Sequence, residues 1–527
     1  MRSFMTLLMT IVLSAGTVLA QSPLPETIKG RPVRLVDLLR QSLDRNLNYR
    51  QARLQPELQQ ASVLQQSAPF QLQMTSNINT SSRKTPTASQ LAGAPTLTID
   101  ETRVELGFSH KLSWGTLLNV NINQIRSKTN SIFATLNPQY NATFTLSITQ
   151  PLLRGFGPQN TQAGLKAAEH RLKSAYENLK ESEMDLLQQV ASAYWDLAFA
   201  HKNYQVQVNS LKLAEKVLHD TEIQIKVGVK APIEKTSAEA EVALRRQNVV
   251  QALNLVQQAT DQLKSLVEST DALMTRLGEI WVPMDEPPTP EELPPIDAVL
   301  AEALKHRSAL QAAKTQLEAA RTEYNAAQNG TLPELNLVAS YSFNGLGGDR
   351  LILGGNFFNR QILGVEKGQI TDALNQVFRG QFPSWSVGLQ LTWPLNDTAA
   401  RARLMQAEVQ FQQAEINYEL ERQRIVLQVR NAYRELLAAR QSLDAAKASV
   451  RLQRANLNAE TKKLELGLST NFILLQYQNN LAQAESQLFQ AQTSYAKAWI
   501  ALLRAVGKLT PNTVMNPGAH LLAFRHH

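Results

Sequence analysis

Cysteine is absent from this 527-residue chain. That excludes disulfides and thiolate metal sites. It also excludes an N-terminal lipid anchor, which needs a cysteine at the cleavage site. Past the first twenty residues no run approaches the ~20 apolar residues that a spanning helix requires, so any membrane position has to be that of a β-barrel. Aromatics make up only 6 % of the chain, whereas Ala, Leu, Gln, Glu, Lys and Arg fill long stretches, which favours extended helices over several globular cores. The formal net charge of +8 is modest for this length and spread over helix faces, so a nucleic-acid reading has little support. Proline is missing from two long intervals, 159–231 and 395–510.

What is present begins with an export signal over residues 1–20. Arg2 supplies the positive end, Phe4 to Val12 is mostly apolar, and Val18-Leu19-Ala20 precedes an expected cut near Gln21. An ordinary buried N-terminal helix is the competing reading, disfavoured by the Pro-rich sequence that follows (Pro23, Pro25).

The chain then contains two copies of one unit. Val190-Ala191-Ser192-Ala193-Tyr194 aligns with Val429-Arg430-Asn431-Ala432-Tyr433, and the interval of 239 residues recurs between Gly228 and Gly467. A gapless register over such a distance implies two helical hairpins of matching length. Repeat 1 is expected over residues 21–280, a Pro-rich linker over 281–295, repeat 2 over 296–508 and a tail over 509–527. Each repeat has a short helix (Val33 to about Ser67, and Ile296 to about Asn329), alternating segments, a leading helix of about 65–70 residues, a turn at the glycine and a returning helix. At ~1.5 Å per residue the leading helices are roughly 100 Å long.

Apolar residues in these helices step by three and four. Ile425, Val429, Ala432, Leu436, Ala439 and Leu443 keep one phase, as do Leu474, Tyr477, Leu481, Ala484 and Leu488. That heptad-like pattern predicts supercoiled neighbours. A soluble antiparallel coiled coil fits the helices equally well.

The alternating segments decide against it. Tyr140, Ala142, Phe144, Leu146 and Ile148 alternate with Asn, Thr and Ser, and Leu335 to Phe343 and Trp385 to Trp393 behave likewise. Leu72, Met74 and Ile78 mark a weaker first strand. An apolar face, a small polar face and terminal aromatics are the pattern of membrane-barrel strands, although a soluble sandwich would alternate similarly. Four strands cannot close a barrel, and open edges are not tolerated in hydrocarbon, so subunits must pool them. A further hairpin around Trp114-Gly115 and a Gly-rich loop from Gly345 to Phe382 are expected at the external end.

With these parts in place, the chain resembles the TolC-like outer-membrane efflux family over nearly its whole mature length. Gln150-Pro151-Leu152-Leu153 resembles that family's strand-to-helix exit, with Leu391-Thr392-Trp393-Pro394-Leu395 as its counterpart. The resemblance implies an α+β membrane protein, with long antiparallel coiled-coil hairpins forming a periplasmic tunnel. About four strands per subunit would join a shared transmembrane β-barrel of a homotrimer, twelve in all. It also implies a Gram-negative outer-membrane location, surrounding lipid, and end-on docking to a periplasmic adaptor (membrane fusion) protein and an inner-membrane pump. The candidate contact tips are Gly228, Val229 and Lys230, and Gly467, Leu468 and Ser469. The candidate periplasmic constriction is Glu234, Lys235, Ile473 and Gln476. Here the sequence departs from the family, because Ile473 and Gln476 stand where some members carry aspartates. Closure through apolar packing around Ile473 is the resulting expectation, with Glu234 and Lys235 as a minor electrostatic component.

No catalytic constellation, cofactor motif or metal site is expected. The eight histidines are scattered, His526 and His527 reading as tail. Gly347-Gly348 and Gly354-Gly355 lack the residues of a phosphate loop and read as flexible loop. The competing functional reading is a periplasmic coiled-coil adaptor of an export complex, which would carry one hairpin and compact β domains. A single-chain porin would need more strands and no long helices.

Overall fold

The computed structural model describes residues 28–275, 278–288, 293–356 and 359–515. The signal at 1–20, part of the linker and the tail beyond Met515 lie outside the described residues. Along the chain come β1 (Arg31–Val33), α1 (Leu35–Arg45), α2 (Leu47–Ser67), β2 (Gln73–Pro86), β3 (Thr96–Lys111), β4 (Leu117–Thr129) and β5 (Leu136–Pro151). The first hairpin follows: α3 (Pro158–Thr161), α4 (Ala163–Lys226), α5 (Ile233–Val267) and α6 (Thr270–Thr275), then β6 (Trp281–Pro283). The second repeat has α7 (Ile296–His306), α8 (Ser308–Asn329), β7 (Glu334–Asn356), β8 (Asn359–Glu366), α9 (Ile370–Phe378), β9 (Pro383–Thr392), α10 (Thr398–Glu465), α11 (Asn471–Val506) and α12 (Pro511–Met515). The leading helices α4 and α10 hold 64 and 68 residues, as the absence of proline predicts. The chain divides into two compact units that cut across the repeats, one of residues 54–179 and 309–422, the other of the remainder.

The first unit carries an antiparallel sheet in the order β2-β3-β4-β5-β7, with β9 on one part of β7 and β8 on another. Register aligns the side chains into rows. Met74, Phe108, Val120, Leu146, Tyr341 and Trp385 sit directly across from one another, as do Thr75, Gly107, Asn121, Thr145, Ser342 and Ser384. Since alternate residues face opposite ways, the sheet has one apolar and one polar face. Outside the patch that a later helix covers, the apolar face is open, with Met74, Ile78, Trp385, Val387, Leu389 and Leu391 all exposed.

Two expectations about this sheet are corrected. The hairpin β3–β4 is not at the external end. Its turn lies beside the exit of β5, where Gly157 N donates to Trp114 O at 3.2 Å and the Trp114 and Phe156 rings are 6.3 Å apart. The Gly-rich segment is not a loop either. Gly345 to Gly355 continue β7, and α9 packs on the apolar face over Ala142, with Tyr140, Phe144 and Phe343 around it. A Cβ on Gly345 would fall 2.0 Å from Ala373 O, so glycine there serves close approach of a helix, which composition alone reads as flexibility.

The second unit is mostly helical, with β1 and β6 paired in parallel beside the helices. In α1, Leu35, Leu38, Leu39 and Ser42 are buried, the spacing of one helix face. Each expected short helix is in fact two, broken at Asn46 and at Arg307, both with extended backbone. The breaks present side chains to the ends of the returning helices. Asn46 Nδ2 donates to Leu266 O at 3.0 Å near the end of α5. The buried Arg307 donates to Arg504 O and Ala505 O at 2.6 and 3.0 Å at the end of α11. Helix C-termini leave carbonyls without helical partners, and these side chains serve them.

Candidate functional site at the hairpin ends

Both hairpins reverse through the same backbone device. Gly228 and Gly467 have φ of +76° and +75°, a left-handed conformation that costs glycine no Cβ strain. Gly228 N donates to Ile225 O at 3.0 Å and Val229 N to Gln224 O at 2.9 Å. In the second repeat, Gly467 N donates to Leu464 O at 3.0 Å and Leu468 N to Lys463 O at 2.9 Å. This pairing of the last free carbonyls is the Schellman motif. Nothing lies within 4 Å of where either glycine's Cβ would be, so the turns are open to solvent.

Around each glycine stand three exposed apolar side chains, Val227, Val229 and Ile233 in the first repeat and Leu466, Leu468 and Phe472 in the second. Each pair is separated by the same 239 residues as the glycines. Large apolar residues held in water at matching positions mark an interaction surface more often than chance.

The polar chemistry of the two ends differs. In the first, Lys230 pairs with Glu234 at 3.1 Å and Lys235 reaches across the hairpin to Glu222 at 2.9 Å. The hydrogen bond from Lys235 holds the Glu222 carboxyl below its usual range, and the same contact raises Lys235. In the second, Ser469 Oγ donates to Glu460 Oε1 at 2.5 Å and Lys463 Nζ lies 3.1 Å from Oε2. Glu460 is buried, and the Ser469 hydrogen bond, then Lys463, pushes its pKa down. Thr470 caps α11 by accepting from Ile473 N at 3.4 Å.

Of the four constriction candidates, Glu234 and Gln476 come together in one groove of about 630 Å³. Lys230, Glu241 and Arg245 join them from the first hairpin, and Phe472, Leu475 and Asn479 from the second. Arg245 is bound to Glu241, its Nε 2.8 Å from Oε1, so the groove's charges are balanced. Lys235 and Ile473 are not among its lining residues; its apolar lining is Val217 and Ala238 from the first hairpin and Phe472 and Leu475 from the second.

The strand-to-helix motifs lie in the unit that carries the sheet. Gln150 accepts from the Thr116 hydroxyl, and its Nε2 donates to Pro151 O at 2.7 Å, tying β5 to the β3–β4 turn. Past Pro151, Leu152 N donates to Leu335 O at 2.8 Å. Trp393 is exposed beyond the end of β9. Pro394 precedes Asp397, whose carboxylate accepts from Ala400 N at 2.8 Å at the start of α10.

Sequence reasoning missed three features. Glu460 was hidden because the repeat puts Thr221 at its place. The aligned tyrosines, noted only as landmarks, hold the linker. Tyr194 Oη accepts from Met284 N and Asp285 N at 3.1 and 3.0 Å and donates to Asp285 Oδ2 at 2.7 Å. Tyr433 Oη donates to Pro294 O at 3.1 Å. Arg307 also pairs with Glu181 at 2.9 Å, and nothing in its sequence context distinguishes it from a surface arginine.

The model of the outer membrane efflux protein family matches residues 38–268 and 299–508, one segment in each repeat. The chain belongs to that family. It is therefore an outer-membrane channel protein, an exit duct for efflux, and the adaptor reading is not favoured. Similar solved structures include the outer-membrane channel OprN, with a TM-score of 0.62 at 18 % identity over 90 % of each chain. The CmeC channel of Campylobacter jejuni aligns with a TM-score of 0.60 at 14 % identity, covering 92 % of this chain and 89 % of that one. VceC of Vibrio cholerae gives 0.59 at 16 %, covering 90 % and 96 %. Comparison with curated proteins finds no match. Among the described residues no helix is long and apolar enough to cross a membrane.

Proposed function

We propose that three copies of this efflux protein form a passive duct, and that its hairpin ends dock a periplasmic adaptor joined to an inner-membrane pump. The observation that carries the docking proposal is the repeated apolar triplet at the two turns. Six such side chains per subunit, kept in water at one 239-residue interval, suit a partner that caps every hairpin in turn. The trimer is supported by family membership and by the unpaired sheet edges. The duct works in tripartite efflux or type I secretion, substrate choice resting with the pump.

The constriction is proposed at the groove beside the turns. Glu234 and Gln476 line it with Lys230 and Arg245, and Ile473 and Lys235 flank it. Mutual neutralisation of Lys230 with Glu234 and of Arg245 with Glu241 leaves no acidic cluster, so the groove has no strong electrostatic preference for cations. Single-channel conductance of Ile473→Ser tests apolar closure: an increase is expected, and a value equal to the parent's rejects it.

The docking proposal has a clean test because the chain lacks cysteine. Cysteine placed at Val229 or Leu468 and labelled with a photocrosslinker should capture a periplasmic adaptor in living cells. Capture from a control position such as Gln413, with none from either turn, would reject end-on docking.

A further inference from the structure

We infer that the membrane barrel of this channel has eighteen strands, six from each subunit, and that its bore therefore admits bulky hydrated solutes without sorting them by size. The inference rests on the trimeric reading above and concerns the wall that such a trimer builds.

Sequence alone leaves β3 and β4 as an accessory hairpin beside four wall strands. In the structure they lie between β2 and β5, and β2 has no pairing with β5 at all. Pairing is continuous on both sides. β2 meets β3 from Gln73↔Ser109 to Pro86↔Thr96, and β4 meets β5 from Leu117↔Thr149 to Ser127↔Gln139. A hairpin folded outside the wall would not share two such ladders.

The faces agree as well. The apolar row through Met74, Phe108, Val120, Leu146, Tyr341 and Trp385 passes across β3 and β4 without a change of phase. The next row, Thr75, Gly107, Asn121, Thr145, Ser342 and Ser384, is small and polar throughout. A one-residue slip would turn every apolar side chain of a strand to the other face, and none occurs along β2–β3, β3–β4 or β4–β5. The inserted strands therefore have the same lipid side and water side as their neighbours.

The edges complete the case. Every residue of β2 and of β9 is exposed, and these strands bound the run of six. In an antiparallel series of six the first and last strands run in opposite directions, so β9 of one subunit pairs antiparallel with β2 of the next. Outer-membrane barrels are closed, antiparallel and mostly even in strand number, and three sixes satisfy that. The connections also follow the pattern of short turns at the periplasmic end and longer loops outside. β3 and β4 are joined by a tight turn closed by Leu112 N to Thr116 O at 2.8 Å, while β7 and β9 are separated by all of β8 and α9.

Barrel diameter grows roughly linearly with strand number. Eighteen strands in place of twelve widen the wall about 1.5-fold, into the range in which barrels enclose an aqueous channel. The lumen row of Gly107, Asn121, Thr145, Ser342 and Ser384 adds little bulk at its level, while further along β3 the same face carries Arg103 paired with Glu101 and Glu105. Selection by size then falls to the hairpin ends.

The test uses the full chain in lipid nanodiscs, with native mass spectrometry for copy number and single-particle imaging for the wall. The expected result is three copies and eighteen strands. Polymer-exclusion sizing in planar bilayers, on channels held open by Ile473→Ser, should give a larger cut-off than that of a variant lacking residues 87–129. That deletion joins β2 to β5 through the existing loop and returns the wall to twelve strands. A trimer with twelve wall strands and residues 96–129 outside them overturns the inference and leaves the trimeric reading intact. Six strands per copy in an assembly that is not a trimer overturns the trimeric reading and the count of eighteen with it.

Discussion

The two repeats solve the same mechanical problems with different chemistry. α1 and α7 each hold 11 residues, each is followed after one residue by a second helix, and that residue serves the end of a returning helix. Repeat 1 uses the neutral Asn46, with one hydrogen bond to Leu266 O. Repeat 2 uses Arg307, whose guanidinium serves two carbonyls, Gln428 Oε1 at 3.1 Å and the Glu181 carboxylate. Glu181 belongs to α4, so the second repeat's cap also ties it to the first. The backbone plan is what the repeats share, and the differences in side chains are where one repeat engages the other.

The sharpest way to break this comparison is to remove both caps in turn. Arg307→Ala leaves the Glu181 carboxylate, itself only 13 % exposed, without its main partner; loss of one member of a buried pair costs about 3–5 kcal/mol. Arg504 remains 3.5 Å from Glu181 and softens that loss. Asn46→Ala removes two neutral hydrogen bonds, one to Leu266 O and one from Tyr49 N, and should cost about 1–3 kcal/mol. Thermal unfolding of the detergent-solubilised protein reads both, and equal losses would mean that the charged cap does no more than the neutral one.

The tyrosines come next. Tyr194→Phe strips three partners from the start of the linker and should cost about 1–3 kcal/mol, whereas Tyr433→Phe loses one and should cost about 0.5–1.5 kcal/mol. Protease cleavage near residues 284–288 should rise in the first variant and not in the second.

At the turns the repeats should behave alike. Gly228→Ala and Gly467→Ala meet no steric obstacle, so each pays only for left-handed backbone, about 1–2 kcal/mol. A marked difference between them would show that one turn is additionally held by a side chain, and Glu460 is the candidate.

The smallest effect separates the turns by pH. Glu460 has its pKa depressed in the folded chain, so its contribution is present above the ordinary carboxylate value of about 4.3 and is lost as pH falls through the lower folded value. Ser469→Ala removes the largest cause of the depression. Hydrogen exchange of residues 460–470, compared at equal pH between about 3 and 6, should then show opening at higher pH in the variant. The corresponding segment of the first repeat should not change.

Much of this architecture is legible in the chain. Two proline-free intervals and a repeated glycine place the hairpins, and period-two alternation marks β5, β7 and β9, because both signals are local. Three things were not legible. The breaks at Asn46 and Arg307 carry no proline or glycine; they are imposed by the helix ends they serve. The place of β3 and β4 depends on pairing partners, which alternation does not name. The Gly345 segment has the composition of a loop, yet its glycines make room for α9. At the site, the turns were accessible through the repeat and Glu234 and Gln476 were candidates through the family resemblance, while Glu460 was not accessible, because its aligned partner is the uncharged Thr221.

At Gly228 and Gly467 themselves the reversal is closed by main-chain hydrogen bonds, with open space where a side chain would be. The side chains of Val227, Val229, Leu466 and Leu468 take no part in those bonds. The residues flanking each glycine can therefore be rewritten without refolding the hairpin, so a duct of this kind can change partners by point substitution at its rim while its scaffold stays as it is.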